Sequence, residues 1–205
     1  MTIDPKILRL VAITDDAVEH RATLVDRVAA AVRGGATSVQ VRLKNAPPRE
    51  VVELTKAIIG KVSVPVIVND RADIALAAGA AGVHVGEADL PVAAVRRFAP
   101  AGFIIGASLG NDGELPNAKD ADYVGIGPVF ASSSKNDAGT AIGVAGFERL
   151  AATVSVPAVA VGGITPDRAL QIMVHGAAGV AVVNAIFMAA DPESAARALA
   201  AAIGK

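Results

Sequence analysis

The sequence predicts an α/β protein built as a single (β/α)8 barrel, and three observations carry that expectation. Eight short apolar runs recur through the 205 residues, helical stretches alternate with them from end to end, and nearly every residue that follows a run is polar or glycine. The length suits one domain, residues 1–205, with a substantial core, though it is compact for eight β/α units.

Taken in order, the expected strands are 8–13, 38–41, 65–68, 82–85, 103–107, 123–126, 157–161 and 179–183. The first helix is the clearest: Leu24, Val28 and Val32 recur every four residues, and Gly34-Gly35 supplies its stop. Pro47-Pro48, Pro91 and Pro166 stand where first turns of helices begin, and Asp191-Pro192 opens the last helix in the same way. The fifth helix is shortened, because Gly113 and Pro116 leave room for only a turn or two between 111 and 120. There is also an echo. VSVPVIVND from Val62 and VSVPAVAVGG from Val154 are each followed by a helix and then by GAAGV, which equates strands three and four with seven and eight. Duplication and the reuse of small-residue idioms in barrels both account for it. Either way, the turn Asn69-Asp70 has the glycine pair Gly162-Gly163 as its counterpart.

A formal net charge of -1 with both signs interspersed leaves no basic face for nucleic acid. The absence of cysteine excludes a disulfide framework and thiolate chemistry, which suits a reducing cytoplasm. Residues 1–6 carry Asp4 and Pro5 and lead into a strand run, unlike a signal peptide. Residues 172–190 lack Asp, Glu, Lys and Arg and are long enough to span a bilayer. They are broken by His175-Gly176, Gly179 and Asn184, so a helix end, a turn and a buried strand are expected, with no membrane partner.

In barrel enzymes the loops after the strands build the active site. Here strand one offers Thr14 and Asp15, strand two Arg42 and Lys44, strand three Asn69 and Asp70, and strand four Asp89. Strand five offers Ser108, strand six the loop from Ala131 to Gly139, strand seven Gly162-Gly163 and strand eight Asn184. If strands three and four are parallel neighbours, Asp70 and Asp89 face one pocket. Mg²⁺ takes one or two carboxylates beside water and phosphate oxygens, and suits such a pair. Asp70 equally suits the N-cap of a helix beginning near Arg71.

Gln40, Arg42 and Lys44 alternate with Val41 and Leu43, so the three polar side chains leave on one face. A polar row along a barrel interior is costly unless it serves a ligand, and a guanidinium fork beside an ammonium suits a diphosphate. A solvated charge pair beyond the strand end is the bland alternative. The loop 131–139, with three serines and Lys135, reads as a flap closing over anionic oxygens or as an ordinary flexible loop. Gly162-Gly163 before Thr165-Pro166, with Val183-Asn184 beside it, matches the phosphate site found after barrel strands seven and eight. Among the histidines, His84 is expected to take a hydrogen-bonded structural role inside the barrel, His175 to end a helix, and His20 to lie in a loop. No Ser-His-Asp order, HExxH, GxGxxG or Walker pattern supports a hydrolase, zinc or dinucleotide reading.

Eight motifs complete the picture: AITD at 12–15, QVRLK at 40–44, VNDRADIAL at 68–76, GVHVGEADLP at 82–91, IIGAS at 104–108, DYVGIGPVFASSSK at 122–135, VGGITPD at 161–167 and GVAVVNAI at 179–186. With these in order over nearly its whole length, the chain resembles the thiamine phosphate synthase (thiamine-phosphate pyrophosphorylase) family. The resemblance implies a barrel transferase that joins 4-amino-5-hydroxymethyl-2-methylpyrimidine diphosphate to 4-methyl-5-hydroxyethylthiazole phosphate, or its carboxylated form, and releases diphosphate. It implies Mg²⁺ as cofactor, held by Asp70 and Asp89, easing departure of the diphosphate to leave a pyrimidine-stabilised cation that the thiazole nitrogen captures. Gln40, Val41, Arg42, Leu43, Lys44, Asn69, Ser108 and Lys135 would hold the pyrimidine diphosphate. Ser132, Ser133, Ser134, Gly163, Val183 and Asn184 would hold the thiazole phosphate. Ser108, Lys135 and Arg42 are the residues expected to carry the catalytic roles. The partners implied are small-molecule substrates, with a homodimer as the candidate assembly.

The chain departs from the family pattern at several positions. Ser132 and Ser134 stand where threonines are usual, Asn184 where a serine is, Glu87 where a glutamine is, and Gly110 where a histidine is. Two other readings remain at this point. Thiazole tautomerases share AITDD and GGITPDR, but use a histidine at the Gly110 position and usually lose the metal aspartates. A non-catalytic thiazole phosphate-binding barrel would not need the set Asp70, Asp89, Arg42 and Lys135.

Overall fold

Eight parallel strands pair in chain order and the last pairs with the first, closing a barrel in the computed structural model. The structure describes residues 3–131 and 140–204, with residues 18–20 described by their backbone alone. The strands are β1 (Leu10–Ile13), β2 (Ser38–Val41), β3 (Val66–Asn69), β4 (Gly82–Val85), β5 (Ile104–Leu109), β6 (Tyr123–Ile126), β7 (Ala158–Val161) and β8 (Gly179–Val182). The expected (β/α)8 barrel is therefore present, strand for strand.

Two boundaries matter for the site. Residues Pro5–Leu8 form a 3-10 turn rather than the start of β1, opened by the Asp4 carboxylate accepting from Lys6 N at 2.9 Å. Buried Ile3 and Leu8 join Val11, Ile13, Ile67, Tyr123 and Val159 in the apolar cluster that fills the barrel interior. At the other end, β5 runs on to Leu109, so Ser108 is held by the sheet instead of hanging in the following loop. It is positioned by the ladder to β6, where it pairs with Gly125.

Side-chain direction alternates along each strand, which produces two apolar layers. Leu10, Ala12, Val39, Val41, Val66, Val68, Val83 and Val85 point outward and pack under the helices. Those helices are α1 (Leu24–Arg33), α2 (Pro48–Lys61), α3 (Ala72–Ala78), α4 (Val92–Arg96), α5 (Leu115–Ala118), α6 (Gly143–Ala151), α7 (Pro166–Val174), α8 (Asn184–Phe187) and α9 (Pro192–Ala202). The shortened fifth helix is a single turn behind the 3-10 turn Asp112–Glu114. Residues 172–190 divide into the end of α7, β8 and α8, and no helix among the described residues is long and apolar enough to cross a membrane. His175 caps α7 and its Nδ1 lies 2.6 Å from Glu148 Oε1. His20, expected in a loop, falls in the 3-10 turn Val18–Thr23.

Candidate active site

Gly106 of β5 lies in register between His84 of β4 and Tyr123 of β6, so a strand position without a side chain separates two ring-bearing ones. The rings meet across it, with centroids 5.5 Å apart. A Cβ at Gly106 would fall 2.6 Å from His84 Nδ1 and 2.5 Å from Tyr123 Cε1, which explains the glycine. His84 Nδ1 is 3.1 Å from the Tyr123 hydroxyl and its Nε2 is 3.2 Å from Ser108 Oγ. The fully buried Tyr123 hydroxyl also bonds the Gln40 side chain, and burial raises its pKa above the ordinary tyrosine range, so it stays protonated. Gln40, Tyr123, His84 and Ser108 thus form one polar chain through the barrel, ending at its carboxyl mouth. His84 has the hydrogen-bonded interior role expected of it.

The acid pair stands beside this chain. Asp70 follows β3 in the left-handed region, with φ 65°, and its N–H donates to His84 O at 2.7 Å. It caps nothing: α3 begins at Ala72 behind Arg71, with no side-chain cap hydrogen bond. Asp89 is folded back by its own turn, its Oδ2 accepting from Gly86 N at 2.7 Å. The two carboxyl groups interact directly. Burial, then the Asp89 charge and hydrogen bond, raise the Asp70 pKa against the lowering effect of Lys44, whose Nζ is 3.6 Å from Asp70 Oδ2. Among the described residues no group of three or more potential metal ligands converges. Two carboxylates with a cation alongside are the protein share that Mg²⁺ needs when water and phosphate oxygens complete its shell, so these residues fit that ion.

Two hollows lie near the carboxyl ends of the strands. The smaller, about 270 Å³, is lined by Asn69, Asp70, Asp89 and Lys44 over an apolar wall that includes Val41 and Leu43. The larger, about 810 Å³, runs from Glu87 and Ser108 across to Gly162, Gly163, Val183 and Asn184. Gly162 and Gly163 have φ 97° and 63°, and a Cβ on Gly163 would lie 2.6 Å from Ala131 O, so close packing of the β6 and β7 loops requires them. Arg168 lines the same cleft, 4.9 Å above the Phe130 ring, and donates to Gly163 O at 2.7 Å.

The structure brings together Ser108, Gly163, Val183 and Asn184 in one hollow, and Lys44, Asn69, Asp70 and Asp89 in the other. Gln40 sits one layer below, buried at 4% exposure, while Arg42 is half-buried on the rim just after β2. Val41 and Leu43 belong to the outer apolar layer, so their side chains serve packing first. Ser132, Ser133, Ser134 and Lys135 lie outside the described residues. Sequence reasoning passed over Glu114 and Arg168 as lining groups. Glu114 holds Gly110 N at 2.9 Å, and its only signal was a place in a short, glycine-rich unit.

The model of the family described as thiamine monophosphate synthase matches residues 10–186. The chain belongs to this family. It is 42% identical to a thiamine-phosphate synthase of Methanoculleus marisnigri, covering 93% of this chain and 92% of that protein. It is 44% identical to one of Moorella thermoacetica, covering 92% of each. Among solved structures, the thiamine phosphate pyrophosphorylase of Pyrococcus furiosus superposes with a TM-score of 0.85 at 34% identity, over 97% of this chain and 96% of that one. The expected family and the expected enzyme class, a transferase, are borne out.

Proposed function

We propose that this barrel makes thiamine phosphate from a pyrimidinylmethyl diphosphate and a thiazole phosphate, releasing diphosphate. One observation carries the reading: the carboxyl ends of the strands carry an acid-and-lysine hollow, around Asp70, Asp89 and Lys44, and a separate glycine-lined hollow that holds Ser108, Gly163 and Asn184. Reactants with two separate anionic groups suit such a pair.

In this reading Asp70 and Asp89 hold Mg²⁺, which when bound neutralises charge growing on the departing diphosphate. Lys44 and Arg42 bind its non-bridging oxygens, and Lys135 is assigned the same task. The methylene C–O bond breaks and its electron pair leaves with the diphosphate. The thiazole nitrogen then donates its lone pair to that carbon, while Gly163, Val183, Asn184 and the serines 132–134 orient its phosphate. Ser108, steadied by His84, faces the reacting centre and helps exclude water.

The tautomerase alternative needs an imidazole where this chain has Gly110, whose N–H is taken by Glu114. Incubation of the purified protein with both substrates and Mg²⁺ should yield thiamine phosphate by mass, and its absence would overturn the proposal. Replacing Asp70 or Asp89 by alanine should cut turnover by at least about 100-fold with the fold intact by circular dichroism. Undiminished turnover without Mg²⁺ would contradict the metal role.

A further inference from the structure

The loops after β1 and β2 are fastened to one another by side chains. We infer that Thr14 and Asp16 are positioning residues that hold the cation-bearing segment 42–45 in place for the diphosphate; this rests on the function proposed above. The backbone ladder between these strands ends with Thr14 N donating to Gln40 O at 2.9 Å. β2 stops at Val41, yet a further link follows. The Thr14 hydroxyl accepts from Arg42 N at 2.8 Å and donates to Arg42 O at 3.2 Å, replacing a backbone pair with a side chain.

The far end of the segment is held as firmly. Asp16 Oδ2 accepts from Asn45 N at 3.0 Å and from Asn45 Nδ2 at 2.7 Å. Its other oxygen accepts from Arg21 at 3.1 Å, and Arg21 in turn reaches Glu50 on the first turn of α2 at 2.8 Å. Arg42 and Lys44 therefore sit between two anchored points. Neither Thr14 nor Asp16 lines the two hollows, so their influence on a ligand passes through Arg42 and Lys44.

The physical reason is preorganisation. A segment beyond a strand end, bearing two long cationic side chains, loses conformational freedom when it closes on an anion, and that loss weakens binding. Anchoring the backbone at both ends removes it beforehand. A hydroxyl is required at position 14 because Thr14 is fully buried and an isosteric valine would remove both of its hydrogen bonds to the Arg42 backbone.

The test uses the full chain with Mg²⁺ and inorganic diphosphate in calorimetry, alongside KM for each substrate. Thr14→Val and Asp16→Ala should each weaken diphosphate binding about tenfold and raise KM for the pyrimidine diphosphate similarly. KM for the thiazole phosphate should not move, because its end of the mouth is built from β6, β7 and β8. Thr14→Ser, which keeps the hydroxyl, should stay near wild type. Wild-type affinity in Thr14→Val, equal weakening for both substrates, failure of serine to rescue, or a wild type that binds no diphosphate would each overturn the inference. A wild type that binds magnesium diphosphate but forms no thiamine phosphate would sink the proposed function while leaving the anchoring to be judged on diphosphate affinity. Should Thr14→Val fail to fold, Asp16→Ala, in the loop above the sheet, decides by itself: weakened diphosphate binding supports the anchoring and wild-type binding overturns it.

Discussion

Asp70 occupies a backbone conformation that glycine would take without strain. Aligning the two VSVP segments puts it opposite Gly162, and both have positive φ, 65° and 97°. A non-glycine residue there costs on the order of 1 kcal/mol, and carboxylate crowding against Asp89 adds to it. The chain accepts both costs where Asp70 faces the mouth. Asp70→Asn should therefore raise the melting temperature of the metal-free protein by a few degrees while removing turnover, since asparagine tolerates positive φ and carries no charge. The sign of the pH dependence follows. An acid whose folded pKa lies above 3.8 loses its stabilising contribution as pH rises through that folded value, so the advantage of Asp70→Asn should grow from about pH 4 toward neutrality. Equal melting temperatures at pH 7 would contradict this. At this scale the sequence marked Asp70 but left its role between cap and ligand; the backbone angle and the start of α3 at Ala72 remove the cap.

At the scale of single elements, β5 shows how little of a site need be side chain. Gly106 is the gap through which His84 meets Tyr123, and Gly106→Ala would overpack it. The expected cost is about 1–3 kcal/mol, read as a lower denaturant midpoint, with Ser108 displaced and turnover reduced beyond the loss of folded protein. Helix α9 provides the opposite case, an element whose start was readable. Asp191-Pro192 opens it as expected, the carboxylate accepting from Glu193 N at 3.0 Å and Ser194 N at 3.4 Å. Bonding to Ser194 lowers the Asp191 pKa, so the cap is complete above 3.8 and fails as pH falls through the lower folded value. The protection factors of the Glu193 and Ser194 amides, relative to their intrinsic exchange rates, should fall in that acid window and should be low at neutral pH in Asp191→Ala; protection unchanged by the substitution would contradict the cap. The four-residue strands and the proline-opened helices were legible because such signals are local. The extension of β5 to Leu109 was not, since it depends on pairing with β6.

For the whole molecule, closing the sheet brings residues from every third of the chain to the carboxyl ends of the strands and keeps the hollow around Asp70 and Asp89 and the hollow around Gly163 and Asn184 on different strand sets. Substitutions at one hollow should then spare the other. Gly163→Ala, with φ 63° and a Cβ 2.6 Å from Ala131 O, should raise KM for the thiazole phosphate about tenfold or more and leave magnesium diphosphate affinity unchanged. Loss of affinity for both ligands would show that the mouth responds as one unit.

What the sequence by itself determined is the periodic part: eight β-type runs, helices opened by proline, a shortened fifth unit, and which residue types follow each strand. These follow from side-chain alternation and turn chemistry, which act over a few residues and need no partner. Only the tertiary structure decided that Asp70 and Asp89 touch, that Gln40 reaches Ser108 through Tyr123 and His84, and that Thr14 and Asp16 anchor Arg42 and Asn45. Those contacts join residues up to dozens of positions apart, and barrel closure with its fixed register brings them within hydrogen-bonding distance.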